Sequence, residues 1–364
     1  MINRVGILTG GGDAPGLNGV IRGVAKAAEN IYNAQVFGFM DGFHGLIENK
    51  YTVLDQVNTS GILHLGGTVL GSSNRDNPFR YALGNDEEGK IIWGDVSDKA
   101  VTNLQRLGIQ VLIVIGGDGS LHIAKQLSEK GVDVVAVPKT IDNDLDATDQ
   151  TFGFDTAINT VMEALDRLHT TAEAHHRVMV VEVMGRYAGW IALHSGIAGG
   201  ADVILVPEIP YSIEAVAKKI RKRAEGGRGF SLVCVAEGAT EKEGELVVSS
   251  IVADSFDPIR LGGIGNVVAN KLAEATGLES RATILGHLQR GGSPTAMDRI
   301  LTTRLGVKAM DLAVNGPYTH MVSLRGTEIV HVPIDEAIGD LKTVKADSEI
   351  VRAAKAVGIS FGDD

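Results

Sequence analysis

One recurring unit restricts this chain more than any other feature: a short, unbroken apolar run that ends directly in a glycine- or aspartate-rich loop. Val5–Leu8 (VGIL) runs into LTGGGDAPGLN, Val111–Ile115 (VLIVI) into GGDGS, and Val134–Val137 (VVAV) into PKTIDND. A strand with one solvated face alternates apolar and polar residues. A continuous apolar run fits a strand covered on both faces, the condition of a parallel sheet between helix layers. Residues Asn18–Ala28 place Val20, Ile21, Val24, Ala25 and Ala28 at helical spacing, so the first unit reads strand, turn, helix. After Phe152 the pattern restarts, with a helix predicted over Thr156–Leu168 and strands at Val178–Val183, Val203–Val206 and Ser231–Ala236. The predicted class is α/β, with doubly wound, mainly parallel sheets, and 364 residues are enough for two such domains.

Composition narrows the partners. A formal net charge of −11 gives no overall field for nucleic acid, so an anionic ligand needs local positive charge. The basic run AKKIRKRAEGGRG (Ala217–Gly229) reads as a solvated helix face. The single cysteine, Cys234, lies in the apolar run SLVCVA and is expected as a buried thiol. One cysteine makes no internal disulfide, which suits a reducing compartment. The N-terminus MINRVGILTG enters a strand pattern without the features of a signal peptide, and no apolar run reaches membrane-spanning length. The expectation is a cytoplasmic protein.

In open parallel sheets, ligands bind beyond the carboxyl ends of the strands, where helix N-termini offer free N–H groups. In Leu8–Asn18, three consecutive glycines let the backbone approach an anion closely. That loop lacks the Lys-Ser/Thr ending of a Walker A loop, and Pro15 stands where GxGxxG needs its third glycine. It fits an anion cradle or a tight structural turn. In Gly116–Ser120, Asp118 fits a magnesium ligand beside a phosphate or a cap on the next helix. In Pro138–Asp144, Asp142 and Asp144 stand beside Lys139 and Thr140. One such carboxylate can accept a hydroxyl proton while the other screens or orients, although the string also fits a polar Asx turn. Arg75, Arg177, Arg186, Arg281 and Arg290, the last close to His287, lie in glycine-rich or strand-end contexts. Arginine forks match phosphate oxygens bidentately.

Together, GGDAPGLN, GGTVLGS, GGDGS, KTIDND, VEVMGR and GHLQRGGSP resemble the bacterial-type 6-phosphofructokinase family in order and spacing, from Met1 to about Ala354. The resemblance implies transfer of the terminal phosphoryl of ATP to the 1-hydroxyl of fructose 6-phosphate, in glycolysis, with magnesium. It implies Asp142 as the general base, Asp118 as the magnesium ligand, and Arg75, Arg186 and Thr140 around the transferring group. The donor site would comprise Gly12, Arg75, Asp76, Gly117, Asp118, Gly119 and Ser120. The sugar site would comprise Thr140, Ile141, Asp142, Met184, Gly185, Arg186, Glu237, His287, Leu288, Gln289 and Arg290. Arg177 and Arg281 would come from a neighbouring subunit of a homotetramer. The implied domains are 1–153 with about 289–338 for the nucleotide, and 154–288 with about 339–364 for the sugar phosphate, the active site lying between them.

Two positions separate donors in that family. Gly119 stands where pyrophosphate users carry aspartate, and leaves room for the α-phosphate of a nucleotide. Lys139 is the residue that pyrophosphate users carry, and as a flexible side chain it is expected to admit either donor. The pair marks a mixed subgroup. ATP is the expected donor, pyrophosphate the alternative, and a non-catalytic sugar-phosphate-binding subunit the remote one. Met40 and Ile123 replace residues common around the nucleotide base. Arg22, Glu208 and Arg228 match effector positions, whereas Lys26 and His169 stand where arginines are common.

Overall fold

A computed structural model describes residues 2–242, 244–251 and 259–363. In chain order its strands are β1 (Arg4–Thr9), β2 (Gln35–Phe39), β3 (Tyr51–Leu54), β4 (Tyr81–Asn85), β5 (Ile91–Gly94), β6 (Val111–Gly116), β7 (Asp133–Pro138) and β8 (Val178–Val183). There follow β9 (Val203–Leu205), β10 (Ser231–Ala236), β11 (Val248–Ile251), β12 (Ile259–Leu261), β13 (Ser280–Ile284), β14 (His320–Arg325) and β15 (Glu328–Pro333).

A seven-stranded sheet runs β15-β14-β7-β6-β1-β2-β3, and a four-stranded sheet runs β13-β8-β10-β9. The smaller sheet is wholly parallel. The larger is parallel except at its two edge pairs, β14–β15 and β2–β3. The apolar runs become the central strands. Ile7 pairs with Ile113, and Ile113 with Val135, and all three are fully buried. Burying such a side chain contributes about 1.5–3 kcal/mol, so these runs hold the middle of the sheet.

β8 and β10 coincide with the predicted strands, and β9 ends one residue early. The helix predicted over Thr156–Leu168 runs from Phe154 to His175. Its last two turns carry few apolar residues, so periodicity could not reveal them. In the basic run, Arg223 pairs with Asp202 at 2.9 Å and Lys219 donates to the Gly358 carbonyl at 2.6 Å. Lys218, Arg221 and Lys222 stay exposed, as a solvated face requires. Among the described residues no helix is long and apolar enough to cross a membrane.

Two long helices fix how the sheets meet. Helix Ala296–Asn315 packs closely on helix Leu17–Ala27, and a Cβ on Gly306 would sit 2.6 Å from the Val20 carbonyl oxygen. Only glycine permits that approach. The same helix starts against helix Phe154–His175. Asp298 is fully buried and accepts from Gly153 N and Thr156 N, each at 2.9 Å, and from Thr156 Oγ1 at 2.6 Å. In return Thr295 donates its hydroxyl to Asp155 at 2.6 Å. Asp298 thus caps the start of helix Phe154–His175, and the Thr295–Asp155 bond ties the two helix starts together. One continuous apolar core contains both Ile113 of the large sheet and Cys234 of the small one.

Candidate active site

The carboxyl ends of β1, β6 and β7 face those of β8, β10 and β13 across a cleft of about 590 Å³. Beyond β1, the chain continues through Gly10 N to the Ile115 carbonyl (2.8 Å) and Gly11 N to the Ser73 carbonyl (3.1 Å). This brings Gly11 and Gly12 to the cleft beside Ser73, Arg75 and Asp76. Beyond β6, the extended Gly117 leads into helix Asp118–Glu129, and no side chain caps it. Asp118 is therefore the first helical residue rather than the cap, and its carboxylate lines the cleft with His122 Nδ1 at 3.4 Å. Burial holds its pKa above the usual carboxylate range.

The third loop closes on itself. Lys139 and Phe152 form a bridge across its neck, and Thr151 Oγ1 donates to the Thr140 carbonyl at 2.7 Å. Asn143, in the left-handed region at φ 53°, accepts from Thr151 N at 3.1 Å. Asp142 N donates to Thr140 Oγ1 at 3.1 Å. This folding leaves Asp142 Oδ1 buried without any hydrogen-bond partner. Burial, and then the neighbouring Asp144, push the Asp142 carboxyl up to about 6, against the pull of Arg290 and Lys139. Asp144 is raised too, chiefly by burial.

Lys139 corrects an expectation. It is not a flexible side chain: it is only 4 % exposed, and burial followed by Arg290 lowers it to about 7.

The opposite wall is mostly supplied by the small sheet. Met184 and Arg186 follow β8, Glu237 follows β10, and His287 and Arg290 follow β13. Arg290 reaches across to donate to the Asp13 carbonyl at 3.0 Å. A Cβ on Gly12 would stand 2.9 Å from its Nη1, so a side chain there would have to displace the end of Arg290. Burial raises Glu237 to about 7, with Asp142 and Glu182 adding to it and Arg186 and Arg290 opposing. The Arg186 guanidinium stacks over Tyr187 at 5.3 Å.

Gly12, Arg75, Asp76, Gly117, Asp118, Gly119, Ser120, Lys139, Asp142, Met184, Arg186, Glu237, His287 and Arg290 all line this one cleft. Other expected contacts fall elsewhere. Ile141 is fully buried in the core, and Leu288 is 66 % exposed. Gln289 is a buried strut that accepts from Met184 N at 3.2 Å and donates to the Gly286 carbonyl at 3.0 Å. Thr140 acts within its own loop, and Gly185 (φ 132°) shapes the turn after β8. Arg177 and Arg281 lie at the amino ends of β8 and β13, the far end from the cleft, and share Glu279 at 2.8 and 2.7 Å. Met40 packs against the core and does not line the cleft, whereas Ile123 does. The carboxylate of Glu208 is taken up by Gly189 N at 3.0 Å and Val344 N at 2.7 Å.

Residues that sequence reasoning missed also line the cleft, among them Phe43, Asn77, Arg80 and Trp93. Arg80 stacks its guanidinium over Trp93 at 4.4 Å, next to the β4–β5 hairpin. No periodicity marked that hairpin, and the three-residue apolar run Ile91–Trp93 was too short to point there. Among the described residues no three His, Cys, Asp or Glu side chains gather into a metal cage.

Glycine loops and carboxylates on one wall, with cations and a carboxylate on the other, define a phosphoryl-handling α/β protein. The profile of the phosphofructokinase family matches residues 4–313, and the chain belongs to that family. It is 55% identical to ATP-dependent 6-phosphofructokinase 2 of Clostridium perfringens, over 100% of this chain and 99% of the relative. It is 50% identical to a pyrophosphate–fructose 6-phosphate 1-phosphotransferase of Amycolatopsis methanolica, over 94% of this chain and 96% of the relative. A crystal structure of Pichia pastoris phosphofructokinase in the T-state superposes with a TM-score of 0.78 at 31% identity. That match covers 99% of this chain but only 37% of the yeast chain, so this protein spans little more than a third of that length.

Proposed function

We propose that the protein is an ATP-dependent 6-phosphofructokinase, making fructose 1,6-bisphosphate from fructose 6-phosphate. The observation that carries this reading is Asp142 Oδ1, a buried acceptor with no donor, at the wall of the phosphate cleft. A buried carboxylate oxygen without a partner is costly, and a substrate hydroxyl satisfies it. The sugar 1-oxygen attacks the terminal phosphorus, its proton passes to Asp142, and the bond from that phosphorus to ADP breaks. A base held near 6 is ionised at neutral pH and still close enough to working pH to take a proton. Arg75 and Arg186 stabilise charge on the moving group.

Asp118 suits magnesium, which commonly takes one or two protein carboxylates and completes its shell with phosphate and water. Its carboxylate lines the cleft, with His122 Nδ1 at 3.4 Å. The ion would neutralise phosphate charge there. Arg177 and Arg281 would hold the 6-phosphate in the cleft of a neighbouring subunit of a homotetramer, which accounts for their place away from their own cleft.

ATP is favoured over pyrophosphate on two grounds. Gly119 places no side chain beside the phosphates, and the cleft continues past it to Phe43, Trp93 and Ile123, room that pyrophosphate leaves unfilled. Lys139 and the Amycolatopsis relative favour the other donor. Steady-state kinetics with fructose 6-phosphate and each of ATP, GTP and pyrophosphate test the reading. A nucleotide is expected to give the highest kcat/KM, and a higher value with pyrophosphate reverses the donor assignment.

A further inference from the structure

We propose that Lys342 is a positioning residue for the transfer: its ammonium fills the loop that carries Asp142 and fixes where that carboxylate stands. The inference rests on the reading of Asp142 as the base.

The loop from Lys139 to Phe152 is closed at its neck, but inside it two carbonyls and an amide oxygen point at a common centre. Lys342 Nζ occupies that centre. It donates to Asn143 Oδ1 at 3.0 Å, to the Thr148 carbonyl at 2.8 Å and to the Asp149 carbonyl at 3.0 Å. These are the three donors an ammonium has. Asn143 follows Asp142 directly, so the ammonium holds the residue next to the base.

The backbone repeats the connection. Lys342 N donates to the Asp144 carbonyl at 2.9 Å, and Leu341 bridges Leu145. The Lys342 carbonyl accepts Trp190 Nε1 at 2.7 Å. Two residues on, Val344 N donates to Glu208 at 2.7 Å, and Glu208 also holds Gly189 N, in the loop that begins with Met184 and Arg186. One short segment near the C-terminus therefore ties down the loop of the base and the loop of a cleft arginine. Lys342 touches neither substrate space nor Asp142 itself, and it is not among the residues lining the cleft.

The experiment compares Lys342→Met, Lys342→Arg and Lys342→Gln with wild type in the intact protein, with circular dichroism to establish folding. Misplacing a reacting group by about 1 Å costs on the order of 10²-fold. Lys342→Met is therefore expected to lose about 10–100-fold in kcat, with the KM values for both substrates within about threefold. Lys342→Arg is expected to recover most of that loss, because a guanidinium supplies several donors to the same acceptors. If Lys342→Met does not fold, Lys342→Gln decides: it keeps N–H donors for part of the same acceptor set, leaves Asn143 and its bond from Thr151 N untouched, and is expected to lose about 3–30-fold in kcat alone. A folded Lys342→Met with kcat within twofold of wild type overturns the inference, as does a loss confined to KM or one that arginine does not relieve. Asp142→Asn run alongside separates the two readings. Activity retained there removes the base assignment, whereas activity lost there but kept in Lys342→Met removes only the role of Lys342.

Discussion

Two buried carboxylates, at the wall of the cleft and at the junction of the two long helices, look alike until their partners are compared. Burial raises both Asp142 and Asp298. At the helix junction, three donors converge on Asp298 and both of its oxygens are used. At the cleft, Asp142 Oδ1 has none. A raised pKa therefore does not mark a functional acid by itself. What separates Asp142 from Asp298 is a desolvated oxygen without a partner at the wall of the cleft, where a ligand can supply one.

The same substitution at both sites tests this contrast most severely. Asp142→Asn is expected to lower kcat by about 10²–10⁴ while leaving the sugar-phosphate KM within a few-fold. More than a tenth of wild-type kcat in steady-state assays removes the base assignment. The stability signs should be opposite. A carboxyl held above its ordinary value opposes folding, because the unfolded chain releases the proton more readily. That opposition is absent below the ordinary value of 3.8 and complete above about 6. Asp142→Asn is thus expected to stabilise the fold by up to about 3 kcal/mol at pH 8, with the gain fading near pH 4. Asp298→Asn relieves a similar burial cost but turns an amide NH2 against the donors of Gly153 and Thr156; the loss of those hydrogen bonds is expected to win, destabilising by roughly 2–3 kcal/mol. The folded enzyme should keep its kcat. Denaturant unfolding of both variants decides, and a matching sign breaks the comparison.

Arg281 tests the idea from the other direction, since it already has an ionic partner in Glu279 and yet is proposed to bind substrate. A charged hydrogen bond to phosphate is worth about 1.5–3 kcal/mol, so Arg281→Ala should raise half-saturation for fructose 6-phosphate roughly 10–150-fold, with less effect on ATP. An unchanged sugar half-saturation would mean that the Glu279 pairing is its whole role.

Gly119→Asp adds a carboxylate to the cleft. Like charges at about 4 Å repel by roughly 4 kcal/mol at an effective dielectric near 20. The ratio of kcat/KM for ATP to that for pyrophosphate should fall at least about tenfold, since pyrophosphate has no third phosphate to meet the new charge. An unchanged ratio would show that Gly119 does not decide the donor. The mildest test is pH. If Asp142 must be ionised, wild-type kcat should fall about tenfold per unit below about 6, and a flat profile from pH 7 to 5 would leave the base unidentified.

Much of this was legible because the strands that carry the site are apolar without interruption. Val178–Val183 and Ser231–Ala236 were read to the residue, and most loop residues assigned to the cleft do line it. What stayed hidden depends on packing between distant segments. Lys139 looks like any surface lysine in sequence, and only the surrounding loops bury it. Lys342 meets Asn143 across 199 positions, in a stretch with no motif. Gln289 and Ile141 sit within the motifs, which made them look like ligand contacts, but one braces the turn after β8 and the other fills the core. The β4–β5 hairpin and the antiparallel edge strand β15 are short or half exposed, so their patterns carried little signal.

The lone cysteine has a practical consequence. Cys234 is fully buried in β10, and burial pushes its thiol up to about 12, so in the native protein it is neither accessible nor ionised. The folded enzyme should be indifferent to thiol-directed reagents and mild oxidants. Labelling of this sulfur would then report only openings of the small sheet large enough to expose its middle strands. A cysteine placed on the surface would be the sole reactive thiol, and a single dye could follow the cleft without any other residue being changed.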